Sequence, residues 1–521
     1  MKAYKKIIFG VVGLMALNSC KDYLDVNTDP ATPQIGDVKA LTPPLFTAIT
    51  RGVQWDARYL GLVIQNWGYT SANYWAERHG WPGANSDVTG DIWRQNYYGL
   101  GNNLNLVIEN GLETMQYNYV GLAKAIQAWS WQTTTDYHGD IILTQAFDDT
   151  RYTFDYDEQE DVYEHVVNLT NEAIAYLERT DGVGTEATLS KSDLVYKGKA
   201  DKWIKFCYGL LARNANNLSN KSTYDPDKVI QYVDKALADN ADDFLIPFDG
   251  TTTANANFFG PMRNNLSNYR QSNLIVNLLN GTLLNAAQDT VIDPRRANMI
   301  TASLDGNFRG TNPSAGAPNG GVTNPLSLPN PWGGIHTSNP GAGNGKYLFT
   351  DKVAYPLMTY SEMQFIKAEA AFRKGAKDVA YGAYMKGIEA SIDFVSARGT
   401  AITATEKSDY LASEAVVQNE ADLTLRDIML QKYIAVWGYN FVETWSDLRR
   451  HHYNEGDAKG NNPYLDVYIN PQFADYNNGK PAYRYRPRWN SEYIYNVDAL
   501  KKVGADLEDY HTFEQWFSKA D

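Results

Sequence analysis

Apolar residues return at spacings of three and four along much of this chain, and that period commits it to helices. Val162, Val166, Leu169, Ala173 and Leu177 line one face; Trp203, Phe206 and Leu210 line another, with Asn214 and Ala215 a turn further on. Helix boundaries are written in matching chemistry. Thr359-Tyr360-Ser361-Glu362 has the capping-box spacing, and the helix it opens is expected to stop at Gly375, with the next starting near Asp378. Ala368 to Gly375, followed by Ala380, Tyr384 and Gly387, carries the small-residue and aromatic spacing of a tetratricopeptide helix pair, and Val162/Val166/Leu169 and Val229/Val233/Ala236 repeat its step. Any amphipathic helix can produce that step, so the spacing alone leaves a repeat and a plain helical frame both open.

The frame is broken once at length. Between residues 306 and 345, 23 of 40 positions are Gly, Asn or Pro, a density at which no regular element survives. A loop that long inside a compact domain is expected to be functional or disordered. The 521 residues suffice for a large core, in one domain or two intermeshed ones.

At the start of the chain, Lys2, Lys5 and Lys6 precede an uncharged run from Ile7 to Leu17, and then Leu17-Asn18-Ser19-Cys20. A basic segment followed by a short apolar one is the signature of a secretory signal, too short to span a bilayer. Leu17, Ser19 and Cys20 fit the lipobox of bacterial lipoproteins, with Asn18 a less usual occupant. The expectation is a signal peptide over residues 1–19, acylation at Cys20, a polar tether over 20–37 and a folded body over 38–521. More than one acyl chain on the cysteine meets the requirement for stable anchoring.

The net charge of -14 argues against nucleic acid, whose phosphates select lysine and arginine. Cys20 and Cys207 are the only cysteines; with Cys20 acylated, Cys207 has no partner for a disulfide or zinc site and reads as a small core residue on a helix. There is no Gly-x-Ser-x-Gly elbow, no His-Glu-x-x-His and no EF-hand loop. Gly345-Lys346 fails as a phosphate loop, because Pro340 stands where the first glycine belongs and Tyr347 where Ser or Thr is needed. Asp148-Asp149 and Asp242-Asp243 offer carboxyl pairs, but glycoside hydrolysis needs two carboxyls about 5 to 9 Å apart across a cleft, which adjacency does not supply. A helical glycoside hydrolase is therefore the enzyme alternative to a binding protein. No metal or cofactor is expected, and His451-His452, beyond a helix end, reads as solvated. The 36 tyrosines, twice the 18 phenylalanines, favour surfaces that pair an apolar face with a hydrogen-bonding edge.

Several stretches resemble one family. Cys20-Lys21-Asp22-Tyr23-Leu24-Asp25-Val26-Asn27-Thr28-Asp29-Pro30 resembles its start; His138-Gly139-Asp140-Ile141 resembles its Tyr-Gly-Asp-Val step, with His in place of Tyr. Asp293-Pro294-Arg295 and Asp305-Gly306-Asn307-Phe308-Arg309-Gly310 resemble its central segment. The most specific blocks are Tyr355 to Ala370, Gln431-Lys432-Tyr433-Ile434-Ala435 and Glu443-Thr444-Trp445-Ser446-Asp447-Leu448-Arg449-Arg450. The chain thereby resembles the SusD/RagB nutrient-binding outer-membrane lipoproteins of Bacteroidetes.

That resemblance implies a mainly α fold with tetratricopeptide-like helix pairs as scaffold and long irregular loops forming the ligand face. It also implies a SusC-like TonB-dependent β-barrel transporter as partner, and an oligosaccharide ligand, with a peptide as the alternative within the family. Sugars call for flat aromatic faces beside amides and carboxylates. Trp67 to Pro82 has this mixture outside any clean period, and in the resembled family aromatics from this part of the chain form the glycan platform. Asn73, Tyr74, Trp75 and Trp81, with Trp332 from the glycine-rich loop, are thus the expected ligand residues. Trp129, Trp131, Trp203, Trp437 and Trp445 lie on helical patterns and are expected in the core, and Glu369, Glu443 and Arg449-Arg450 are expected to be structural.

Overall fold

The computed structural model of the chain describes residues 37–72, 87–284, 291–317, 321–473 and 477–521. The body opens with α1 (Val38–Val63), capped by Asp37, whose carboxylate accepts from Lys39 N–H. Further along come α2 (Asn102–Glu113), α3 (Tyr117–His138), α4 (Gln159–Leu177), α5 (Ala200–Asn217) and α6 (Pro226–Lys235). The second half carries α7 (Tyr360–Lys374), α8 (Lys377–Ser396), α9 (Leu425–Val436) and α10 (Phe441–Arg450). Helices pack mainly on neighbours: α2 on α3, α3 on α4, α4 on α5, α5 on α6, α6 on α7, and α7 on α8. Stacked pairs of this kind form the tetratricopeptide-like scaffold that the family resemblance implied, each pair burying the face its neighbour leaves open.

The periodic residues explain the packing. Val162, Val166, Leu169, Ala173 and Leu177 of α4 are all buried, as are Trp203, Phe206, Cys207 and Leu210 of α5. Cys207 is a core residue, and burial pushes its thiol up, far from reactivity at neutral pH. Trp129, Trp131, Trp437 and Trp445 are buried as expected. At the start of α7, Thr359 Oγ1 accepts from Glu362 N–H (3.3 Å), but Glu362 does not return the bond. Its carboxylate turns inward to Arg213 (2.7 Å), and the N–H of the first helical residue, Tyr360, is taken by Asp243 (2.7 Å). Half of the capping box forms, and the Glu362 carboxylate is spent instead on holding α5 against α7.

Two antiparallel strand pairs brace the helices: β1 (Trp67–Tyr69) with β3 (Tyr269–Gln271), and β2 (Phe244–Phe248) with β4 (Val353–Met358). Trp67 stands opposite Gln271, and Phe244 opposite Met358 with an irregularity beside Leu245. The described parts of 306–345 contain isolated bridges but no helix or strand, as the composition requires. Side chains fasten this loop instead. Asn330 accepts from Gly334 N–H (2.9 Å) and donates to Ser338 O (2.8 Å). At its end Lys346 Nζ donates to Ala297 O (2.9 Å), Ile300 O (2.7 Å) and Thr301 Oγ1 (2.9 Å).

The charged residues of the family-like blocks form a buried network. Arg450 donates to Glu369 (2.7 and 2.9 Å) and Asp447 (2.6 Å); Arg373 donates to Glu369 (3.0 Å) and Asp457 (2.8 Å); Lys432 pairs with Asp447 (2.7 Å). A buried charge holds only when its partners replace the lost water, and here several charges share that task across α7, α9 and α10. His451 belongs to this network and is not solvated: it is fully buried, Nδ1 lies 2.7 Å from Asp447 O, and Nε2 meets Arg373 at 2.9 Å. His452 is half-buried and meets Glu514 at 2.9 Å. The helix end at Arg450 is covered by the segment that follows it, which a local pattern does not reveal.

Candidate functional site

The site grows out of a helical segment between α1 and α2. Asp91–Arg94 begins as an α-helix, continues as a π-helix over Gln95–Gly101 and runs directly into α2. A π-turn carries an extra residue per turn, re-aims side chains, and is kept mostly where that geometry is used. Here it is fixed from both sides. Asp56 of α1 accepts the Ile92 N–H (2.8 Å), Ser130 of α3 donates to Asn96 Oδ1 (2.7 Å), and the Tyr97 hydroxyl donates to Ile142 O (2.6 Å). A side chain at Gly101 would strike the Phe147 ring at 2.2 Å, so glycine is what lets that ring pack there.

This segment lines a cavity of about 590 Å³ with Trp93, Arg94, Tyr97 and Tyr98, a size in the range of ligand sites. Phe147 and Phe154 form the facing wall, and Arg488, Ser491 and Glu492 bring polar groups from the C-terminal region. The rings are mutually braced: Trp93 lies 4.7 Å from Tyr97 and edge-on to His138 at 5.3 Å, and Tyr97 lies edge-on to Trp131 at 5.7 Å. Tyr98 differs. It is 75% exposed, its face open at the rim, with the Arg94 guanidinium 5.5 Å from its centre.

The polar wall is equally built. Glu492 accepts from Tyr156 (2.8 Å) and Asn496 (2.9 Å), and Asn496 exchanges bonds with the Phe154 backbone (3.1 and 2.9 Å). Arg488 pairs with Asp87 at 2.5 Å, while its Nε and Ser491 Oγ have no hydrogen-bond partner among the described residues. Burial and the Glu492 charge push the Tyr97 hydroxyl well up, so it stays a neutral donor. Burial also lowers His138 to about 3, leaving an uncharged ring behind Trp93. The open Tyr98 ring beside guanidinium, hydroxyl and carboxylate groups suits a flat ligand rich in hydroxyls. A second cavity of about 400 Å³ continues the first around the π-helix, sharing Arg94 and Tyr98 and adding Arg51, Asp91 and Gln95.

Of the expected ligand residues, Asn73, Tyr74, Trp75 and Trp81 lie outside the described residues, as does Cys20. The segment that holds the four joins Ala72 to Asp87, and Asp87 is the partner of Arg488 at the cavity. Trp332 is placed elsewhere. It is 2% exposed, and its indole N–H donates to Phe259 O at 2.6 Å, so both ring faces are covered by protein and it fastens the glycine-rich loop to the core. Trp67 is likewise a core residue, on β1 and not on a helix face, edge-on to Phe259 at 5.8 Å. The two acidic pairs are engaged locally: Thr150 holds Asp148 below the usual carboxylate range, Asp242 pairs with Lys205 (2.7 Å), and burial raises Asp243 to about 7 where it caps α7.

The lining residues Trp93, Tyr97, Tyr98 and Arg488 were not singled out from sequence. An aromatic, basic and polar run from Trp93 to Tyr98 was the available signal, but at helical spacing it reads as an ordinary packed face.

Fold and groove together define a tetratricopeptide-like helical scaffold that carries an aromatic-lined cavity. The sequence profile of the SusD-like family described as starch-binding and associating with the outer membrane matches residues 37–468. This chain belongs to that family. A SusD/RagB family protein from Bacteroides thetaiotaomicron superposes with a TM-score of 0.67 at 22% identity, covering 93% of this chain and 100% of the other. A chitin-binding SusD homologue from Flavobacterium johnsoniae gives 0.67 at 19% identity, covering 93% and 99%. A SusD homologue from Bacteroides fragilis gives 0.66 at 18%, covering 92% and 100%. At these identities the likeness is one of fold. Comparison with curated protein sequences returns no match. Among the described residues, no helix is long and apolar enough to cross a membrane.

Proposed function

We propose that this protein is a nutrient-binding lipoprotein of the cell surface, anchored in the outer membrane through Cys20. It captures an oligosaccharide in the groove along Asp91–Gly101 and hands it to a SusC-like TonB-dependent transporter, with no covalent bond made or broken. The observation that carries the reading is the cavity of about 590 Å³ with Tyr98 open at its rim and Arg94, Arg488 and Glu492 around it. Ring stacking on tyrosine and charged hydrogen bonds to hydroxyls are what a sugar needs and what this wall offers. Family membership and the binding of chitin by a protein of the same fold support the ligand class. Asn73, Tyr74, Trp75 and Trp81 are proposed as further contributors, because their segment leads into Asp87 at the cavity.

The test is a titration of the protein lacking residues 1–20 against neutral and acidic oligosaccharides and short peptides, followed by tryptophan fluorescence. Saturable sugar binding is expected, and Tyr98→Ala is expected to weaken it about tenfold or more while leaving the melting temperature unchanged, since the residue is exposed. Saturable binding of peptides alone would replace the glycan reading with peptide capture. Release of shortened sugars would make the protein a hydrolase.

A further inference from the structure

The groove sets two arginines side by side in a chain that is acidic overall. The chain has a net charge of -14, yet the smaller cavity of about 400 Å³ is walled by two arginines, Arg51 on α1 and Arg94 on the segment before the π-helix. Arg51 is exposed and has no ion pair among the described residues. Arg94 is 45% exposed, and its one carboxylate partner, Asp91, stands at 3.9 Å, outside hydrogen-bonding distance. One carboxylate is thus set against two guanidinium groups. By contrast, the cavity bordered by Arg151 and Lys502 has both cations satisfied at close range: Arg151 meets Asp148 at 2.8 Å and Lys502 meets Asp155 at 2.6 Å. Arginine in such a place offers a planar fork that matches a carboxylate or sulfate. The two forks open beside Tyr98, which belongs to both cavities and presents an exposed ring.

We propose that the ligand is an acidic oligosaccharide, one of whose rings stacks on Tyr98 while an anionic substituent of the same or the next sugar sits between Arg51 and Arg94. The inference rests on the glycan reading above and narrows it. A neutral sugar offers these two guanidinium groups only hydroxyl oxygens, whereas an anion accepts ion-paired hydrogen bonds from both sides. Arg488 cannot take this role with its Nη2 group, which Asp87 already occupies at 2.5 Å. The pair Arg51 and Arg94 therefore sets the preference for charge, and the larger cavity, with its phenylalanine wall, receives the neutral part of the chain.

The test uses oligogalacturonate, its methyl ester, sulfated chondroitin oligosaccharides, and neutral malto-, chito- and xylo-oligosaccharides, titrated calorimetrically into the protein lacking residues 1–20. Expected is that an acidic probe binds at least about tenfold more tightly than its uncharged counterpart. Arg51→Gln and Arg94→Gln are each expected to collapse that ratio toward one, with melting temperatures held, because both side chains are solvent-facing. A ratio that stays unchanged in both variants overturns the proposal. Binding confined to neutral sugars overturns it while leaving the glycan reading intact, and binding of peptides with no sugar overturns both.

Discussion

Glu443 lies in α10 at 6% exposure, and burial pushes its carboxyl up to about 8, with Arg213 pulling the other way. An unfolded glutamate titrates near 4.3 (about), so across the interval up to about 8 the folded state holds a proton that the unfolded state lacks. Linkage then requires stability to fall as pH rises through that window. Glu443→Gln keeps the shape and removes the proton, so the drop in melting temperature between about pH 5 and pH 8 should be smaller in the variant. Melts at one-unit steps check it, and identical slopes would contradict the assignment. Other residues show how far sequence reading reaches at this scale. Glu369, Arg449 and Arg450 were legible as structural because charged residues on scaffold helices pair with one another, as Glu369 and Arg450 do. His451 and Trp332 were not, since their burial depends on segments far away in sequence.

Helices of three or more turns were legible because a repeated face leaves many residues as witnesses. The expected stop at Gly375 is a case in point: φ there is 86°, α7 ends at Lys374, and α8 follows at Lys377. Nothing lies within 4 Å of where a Cβ would stand, so Gly375→Ala suffers from backbone strain alone. It is expected to lose about 1 kcal/mol, read as a lower midpoint in urea, while Gly375→Asn, which tolerates the left-handed region better, loses less. Equal midpoints for all three proteins would show that the helix end relaxes. The β1–β3 pair was missed because each strand is three residues, too short for an alternating pattern. The π-helix was missed for a different reason, since one extra residue per turn over seven positions leaves the apolar spacing almost unchanged.

At the scale of the molecule, the groove is assembled from Trp93 to Tyr98, Ile142 to Phe154 and Arg488 to Glu492. No local pattern joins positions that far apart, so the helical scaffold could be read and the site it shapes could not. On the proposed anchoring at Cys20, a tether of 17 residues to Asp37 spans at most about 60 Å when extended. What decides the account is where a sugar binds, and the direct measurement is a crystal structure of the protein with an oligosaccharide selected by titration. The account predicts a sugar ring against Tyr98, with Arg94 and Arg488 within hydrogen-bonding distance of its substituents. A sugar bound elsewhere, with no contact to Asp91–Gly101, would contradict it.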